Sequence, residues 1–227
     1  MLLGKHIVNG SSGPSIPIGE KWTFTSNGSW EAPANGNYKI TLVGAGGKGG
    51  NGGNTYPRRY RWNSTYKCQY IGGGGGGGGG AGETVAVEKK LYRTTTLNIV
   101  IGAPNGGSST ITGGITLTAR GGGNGGNGGN GSYSESPNPG SGGAAASVNY
   151  GNGISAGAAG TSKTKSGSCP SWSSTHREYI QAHGSGGAGA VSKYGNGYGS
   201  GGAGSSTSSG AGANGTAGIC VIEYIGK

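Results

Sequence analysis

The sequence predicts a mainly β fold: a small antiparallel β-sandwich with an inserted bundle of polyglycine helices of the polyproline-II type, and almost no α-helix. Three observations carry this expectation. Six short segments rich in β-branched and aromatic residues are bounded by Gly, Pro or Asn, the pattern of strands. Between them lie tracts of glycine, which supplies 59 of the 227 residues. In two tracts a residue other than glycine recurs at every third position, GGKGGNGGN at 46–54 and GGGNGGNGGNG at 121–131. A flexible linker responds to composition and not to phase, whereas a helix with three residues per turn responds to phase.

Taken in order, residues 1–20 are turn-rich and read as an attachment segment or linker ahead of a glycine-rich domain over 21–227. The strands expected are KWTF (21–24), YKITLV (38–43), TVAVEK (84–89), TLNIVI (96–101), ITLTA (115–119) and GICVIEY (218–224). Alternation places Tyr38, Ile40 and Leu42 on one face, and Ile219, Val221 and Tyr224 on another with a one-residue irregularity. No segment sustains a 3.6-residue apolar period. Because the last strand lies far along the chain from the first, a sheet that joins them closes over everything between.

What lies between is glycine, in tracts at 44–54, 72–82, 121–131, 140–146, 156–160, 184–190, 199–204 and 210–215. The uninterrupted run Gly72–Gly80 would extend about 28 Å at roughly 3.1 Å per residue. Such a helix has no internal hydrogen bonds, so its amides must bond to neighbouring tracts or to water. The run without side chains is expected at the centre, touched on every side. Lys48, Asn51 and Asn54, like Asn124, Asn127 and Asn130, are expected along outer edges.

Charge bounds the partners. Seventeen Lys and Arg against seven acids, all Glu, give a net charge of +10, which favours anionic partners. No run of about 20 apolar residues marks a membrane span, and MLLGKHIVNG has no apolar core of a secretory signal. Scattered glutamates offer no carboxylate pair, and the GxGxxG matches lie in glycine tracts with no helix to follow. His176 and His183 lack a Cys or acid at metal-ligand spacing and read as polar loop residues. The expectation is a protein that is not an enzyme and carries no cofactor or metal.

Four segments between tracts differ in character. TYPRRYRWNSTYKCQYI (55–71) interleaves Tyr56, Tyr60, Trp62, Tyr66 and Tyr70 with Arg58, Arg59, Arg61 and Lys67. TSKTKSGSCPSWSSTHREYIQAH (161–183) carries Lys163, Lys165, Trp172, His176, Arg177 and Tyr179, and SKYGNGYGS (192–200) carries Tyr194 and Tyr198. The fourth is SYSESPNPG (132–140). With tracts running up and down, these segments are expected to gather as loops at one end. Aromatic side chains give contact area at low entropic cost, Ser, Gly and Asn give adaptable hydrogen bonding, and Arg grips carboxylate or phosphate. Cys68 and Cys169 are expected to form a disulfide under oxidising conditions, leaving Cys220 free in the last strand.

The run WTFTSNGSWEAPANGNYKITLVGAGGKGGNGG (22–53) resembles the glycine-rich domain at the tips of phage and tailocin tail fibres. The parts that carry the likeness are Phe24, Trp30 with Pro33, Gly36 to Tyr38, Gly44 to Gly47, and the closing AGICVIEY at 217–224. APANG at 32–36 is also similar to a turn in a glycine-rich domain of the anaplastic lymphoma kinase family, a likeness of fold without a receptor role.

The resemblance implies a receptor-binding adhesin on a virion's distal tail fibre or on an extracellular tailocin particle. Its implied partners are a tail-fibre shaft and a bacterial surface receptor: an anionic glycan, teichoic acid, lipopolysaccharide or surface protein. Neither a specific nucleic acid nor membrane insertion is expected, and the chain is read as a homotrimer or a monomer on a trimeric shaft. Two other readings stand beside it. A structural or ice-binding glycine protein wants flat faces and short uniform turns, and a glycine-rich nucleic-acid binder wants RNP or RGG motifs.

Overall fold

The computed structural model describes residues 15–133, 137–165, 183–195 and 197–227, and the described residues contain strands and no helix. In chain order the strands are β1 (Lys21–Phe24), β2 (Gly28–Glu31), β3 (Gly36–Val43), β4 (Tyr56–Trp62), β5 (Thr65–Ile71) and β6 (Thr84–Leu91). After them come β7 (Thr96–Val100), β8 (Ser109–Gly113), β9 (Leu117–Ala119), β10 (Ser132–Tyr133), β11 (Pro137–Asn138), β12 (Ser162–Lys165) and β13 (Ile219–Gly226).

Two four-stranded antiparallel sheets, ordered β1-β13-β3-β6 and β2-β7-β8-β9, make the sandwich that the strand patterns predict. Its core holds Trp30, Tyr38, Ile40, Leu42, Leu97, Ile99, Ile111, Ile222 and Tyr224. Tyr38, Ile40 and Leu42 point inward as expected, but β13 turns the other way: Cys220, Ile222 and Tyr224 are buried while Val221 is half-buried. Ile219 is buried at the strand's start, and the register shifts between Tyr224 and Gly226. Four aromatic rings meet tilted or edge-to-face in the core, with Trp30 5.3 Å from both Trp22 and Tyr38, and Tyr38 5.2 Å from Tyr224. Closure by first and last strands is direct, because β13 pairs with both β1 and β3. Ile16 packs on this core and the Gly19 amide bonds to the Tyr224 carbonyl; the rest of the expected attachment segment, 1–14, lies outside the described residues.

Four strands of the sandwich run straight into glycine tracts: β3 into 44–54, β13 out of 210–215, β9 into 121–131 and β6 out of 72–82. The tract hydrogen bonds have a period of three. Gly74, Gly77 and Gly80 donate to Gly129, Gly126 and Gly123. Likewise Gly72, Gly75 and Gly78 donate to Thr161, Ala158 and Ser155, and Gly76, Gly79 and Gly82 to Ser205, Gly202 and Gly199. In return the carbonyls of Gly72–Gly80 accept from three more tracts: 47–53, 140–146 and 184–190. Residues 72–80 are all buried. The uninterrupted run therefore sits at the centre of six neighbours.

Those six neighbours also bond to one another in a closed ring, in the order 44–54, 121–131, 140–146, 156–160, 184–190, 199–204 and back to 44–54. Tract 210–215 lies outside the ring, bonded to 44–54 and 199–204. Successive tracts run antiparallel. Glycine is required here by space and not by backbone angle, since none of Gly72–Gly80 has positive φ. A Cβ on Gly77 would stand 1.9 Å from the Ala144 carbonyl oxygen, and one on Gly76 2.0 Å from that of Gly50.

The triplet now has a physical reason. In 46–54 one glycine of each triplet abuts tract 199–204 or the turn after it, the next abuts 121–131, and the third position lies on the outer edge. The N–H groups of the outward residues meet no backbone carbonyl of a neighbouring tract, and asparagine side chains of tract 121–131 supply the acceptor. The amides of Lys48, Asn51 and Asn54 donate to the Oδ1 atoms of Asn124, Asn127 and Asn130 at 2.7, 2.9 and 2.8 Å. Replacing Asn127 with alanine should cost about 0.5–1.5 kcal/mol, because the freed amide is near water. Thermal unfolding of Asn127→Ala checks this.

Cys220, buried in the sandwich, is a free thiol that burial pushes up to about 12. Burial also raises the Tyr38 hydroxyl, against the lowering effect of its bond to the Ala34 carbonyl. Both groups stay protonated in the fold after the unfolded chain has begun to ionise. Their contribution to stability is whole at neutral pH and declines as pH climbs from about 9 towards 12. A pH series of denaturant midpoints should fall over that window, and Cys220 should resist alkylation until the protein unfolds.

Candidate functional site

Antiparallel succession sorts the connections between tracts to two ends. Residues 55–71, 132–133, 137–139, 161–165, 183 and 206–209 lie at the end of the tracts far from the sandwich, while 147–154, 191–195 and 197–198 lie beside it. The described parts of three of the four expected loops therefore share one end; 134–136 and 166–182 lie outside the described residues. The fourth does not. Tyr194 and Tyr198, half-buried, lie at the sandwich end, because tract 184–190 runs parallel to 72–82 and finishes with the Ala190 amide on Gly79.

At the far end, 55–71 is no loop but a hairpin. Strands β4 and β5 pair from Tyr56 with Ile71 to Trp62 with Thr65, and β12 pairs on the other side of β5. Asn63 and Ser64 make the two-residue turn with φ of 46° and 60°. Two left-handed residues match the twist of a tight hairpin. The signal was legible: Tyr, Trp and Thr are strand formers, and Asn tolerates positive φ.

The lattice sets the placement of this tip sheet. Strand order β12-β5-β4 continues tracts 156–160, 72–82 and 44–54, which are one ring member, the centre and the ring member opposite. The sheet therefore rises along a diameter of the bundle. Ile71, fully buried, hands β5 to the central tract. Nearby, the Thr55 amide bonds to Ser208 Oγ at 2.9 Å. His183 reaches across, with Nδ1 2.8 Å from the Gly184 carbonyl and Nε2 2.9 Å from that of Gly53.

Register fixes the order of the candidate residues. Rows across the sheet read Pro57–Tyr70–Lys163, Arg58–Gln69–Thr164 and Arg59–Cys68–Lys165, then Tyr60–Lys67 and Arg61–Tyr66. The three strands hold six cations, Arg58, Arg59, Arg61, Lys67, Lys163 and Lys165, and no acid. Lys163 and Lys165 join the site only through the pairing of β12, across more than ninety residues of chain that local pattern does not connect. Tyr56 is 44% exposed, and Arg58, Lys67, Gln69 and Tyr70 are half-buried. Gln69 Nε2 donates to Ser162 Oγ at 3.1 Å.

Cys68 is disulfide-bonded. Its expected partner Cys169 lies outside the described residues, as do Trp172, His176, Arg177 and Tyr179. Among the described residues no group of three metal-ligating side chains gathers, and no helix is long and apolar enough to cross a membrane. Compared with known proteins, the chain matches no family model and no curated sequence at a significant level.

Proposed function

We propose that this chain is a receptor-binding adhesin at the tip of a phage or phage-like tail fibre, which reads a bacterial surface glycan or surface protein. The observation that carries the reading is the polarity of the molecule. An aromatic sheet with six cations and no acid stands at one end of a rigid bundle. Residues 15–20 and β13 both lie on the sandwich at the other end. Attachment to a shaft at the sandwich end presents the sheet to a cell surface. The likeness of residues 22–53 to tail-fibre tip domains agrees with this division. In a homotrimer, or as a monomer on a trimeric shaft, weak single sites gain strength through avidity.

Fluorescently labelled protein, applied to a panel of bacterial strains with and without added salt, tests the proposal. Selective labelling of a few strains that survives physiological salt is the expected result. Uniform labelling that disappears as salt rises would reduce the protein to a cation adhering to anionic envelopes, and would overturn it. On a strain that is labelled, the double variant Trp62→Ala, Arg59→Ala should lose binding by about a hundredfold or more, as paired hot-spot losses do, with its thermal midpoint kept. Undiminished binding by the folded variant removes 55–71 from the site.

A further inference from the structure

We infer that Asn152–Gly153 is a modification site: the asparagine deamidates there without an enzyme, while hydrogen bonds hold the other described Asn–Gly pairs back. The inference is independent of the adhesin reading. In the reaction the glycine backbone nitrogen, having given its proton to solvent, attacks the asparagine Cγ. An N–Cγ bond forms, the Cγ–Nδ2 bond breaks, and ammonia leaves with a proton taken from water. The five-membered imide then takes up one water. Cleavage of its N–Cγ bond gives aspartate; cleavage of its other ring N–C bond gives isoaspartate, in which the main chain runs through Cγ. One water enters, one ammonia leaves, and nothing is oxidised or reduced. Glycine favours the attack because no Cβ crowds its nitrogen.

The reaction sets two conditions. The side chain must be free to bring Cγ within about 3–3.5 Å of the nitrogen, and the nitrogen must be free to lose its proton. An Oδ1 held as acceptor elsewhere denies the first, and an N–H donated to an acceptor denies the second. Nine Asn–Gly pairs have both residues described. In 121–131 both conditions fail three times. Asn124, Asn127 and Asn130 spend Oδ1 on amides of tract 44–54, and Gly125, Gly128 and Gly131 donate to carbonyls of that tract. Both fail again at Asn51, whose Oδ1 accepts the Gly212 amide at 3.2 Å while Gly52 donates to the Gly210 carbonyl. Asn27 and Asn35 hold the Ile101 and Arg93 amides at 2.8 and 2.7 Å. One further bond guards two pairs. The Gly215 amide on Asn105 Oδ1, at 3.1 Å, pins the side chain at 105–106 and occupies the nitrogen at 214–215.

Asn152 alone meets both conditions. It is exposed, and among the described residues neither its side chain nor the Gly153 amide has a hydrogen-bond partner. Gly153 has φ of 79°, and a Cβ built on it would meet nothing within 4 Å. The pair is held on one side only: the Asn152 amide donates to the Val191 carbonyl at 3.0 Å, and the Asn152 carbonyl accepts the Val191 amide at 2.6 Å. Position matters as much as freedom. Isoaspartate adds one carbon to the main chain, which the turn at 147–154 can absorb. Inside a tract the same carbon would break the period of three on which the lattice bonds depend.

The test holds the folded protein at mildly alkaline pH and physiological temperature beside the same chain in denaturant, and follows both by peptide mass spectrometry. In denaturant the Asn–Gly pairs should convert at similar rates. In the folded protein Asn152 should convert first. Asn124, Asn127 and Asn130 should be slowed by about a hundredfold or more against the denatured chain, because they react only through opening of the tracts. Isoelectric focusing of the intact folded protein should show one early acidic form. Asn152→Ser, at an exposed position without side-chain partners, should lack that form and keep its thermal midpoint. Three results would each overturn the inference: a pair in 121–131 converting as fast as Asn152 in the folded protein, an early acidic form that persists in Asn152→Ser, or a folded protein that converts nowhere while the denatured chain converts throughout.

Discussion

Gly78→Ala should fail to fold, or lose on the order of 5 kcal/mol, the range reserved for gross packing violations. Nothing local forbids alanine there, since Gly78 does not have positive φ and alanine suits an extended backbone. The obstacle is the neighbouring tract. A Cβ at this position would lie 1.7 Å from the Ala188 carbonyl oxygen and 2.5 Å from its carbon, and these are backbone atoms with no rotamer to yield. Relief requires tract 184–190 to retreat, which breaks the bonds from Gly187 to Gly76 and from Ala190 to Gly79. That tract is also bonded to 156–160 and 199–204, so the closed ring must open with it. Ordinary overpacking costs about 1–3 kcal/mol because side chains adjust; here none can. Gly28→Ala is the matched control. Its nearest atom is Phe24 Cδ1 at 3.8 Å, and its midpoint should shift by no more than about 0.5 kcal/mol. Thermal melts of the two variants decide the matter.

Trp30→Ala should cost about 3–5 kcal/mol, and the bundle should melt with the sandwich. Trp30 is 7% exposed and bridges Trp22 and Tyr38, so its loss opens a cavity between the two sheets. The consequence reaches further than the cavity. Glycine loses more conformational freedom on ordering than any other residue, so the tracts need their ends fixed. The sandwich fixes four of them through β3, β6, β9 and β13. At the junction Ser109 Oγ, buried, donates to the Val43 carbonyl at 2.7 Å and accepts the Gly102 amide at 2.9 Å. One cooperative transition is therefore expected, with tryptophan fluorescence and circular dichroism coinciding. A lattice that melts separately, with the sandwich still folded, would contradict the clamp.

Much of this architecture was legible in the chain, and the reasons differ by element. KWTF, YKITLV and TVAVEK declare strands through composition and boundaries, and β1, β3 and β6 follow them. The phase of GGN declares a three-residue period, and the pure run Gly72–Gly80 declares its central place because any Cβ there would meet a neighbour. Less legible was the inward face of β13, where Cys220 and Ile222 are buried and Val221 is not, since Ile219, Val221 and Tyr224 make an equally apolar set. Strand β8, Ser109–Gly113, is too polar to announce itself. The acceptor role of Asn124, Asn127 and Asn130 needs the parallel pairing of tracts 44–54 and 121–131, which no local pattern contains. At the site, the basic and aromatic composition of 55–71 was plain. The addition of β12 and the position of Tyr194 and Tyr198 at the opposite end depend on which way each tract runs.

The central claim is that the glycine tracts form a hydrogen-bonded lattice that holds the tip sheet at a fixed distance from the sandwich. Amide hydrogen exchange of Gly72–Gly80 tests it most directly. The account predicts that the amides of Gly72 and Gly74–Gly80, buried and bonded to surrounding tracts, exchange only through global unfolding, as slowly as those of β3 and β13. Exchange at the rate of an unstructured glycine peptide, while β3 and β13 stay protected, would mean that the tracts are tethers and that the lattice does not exist in solution.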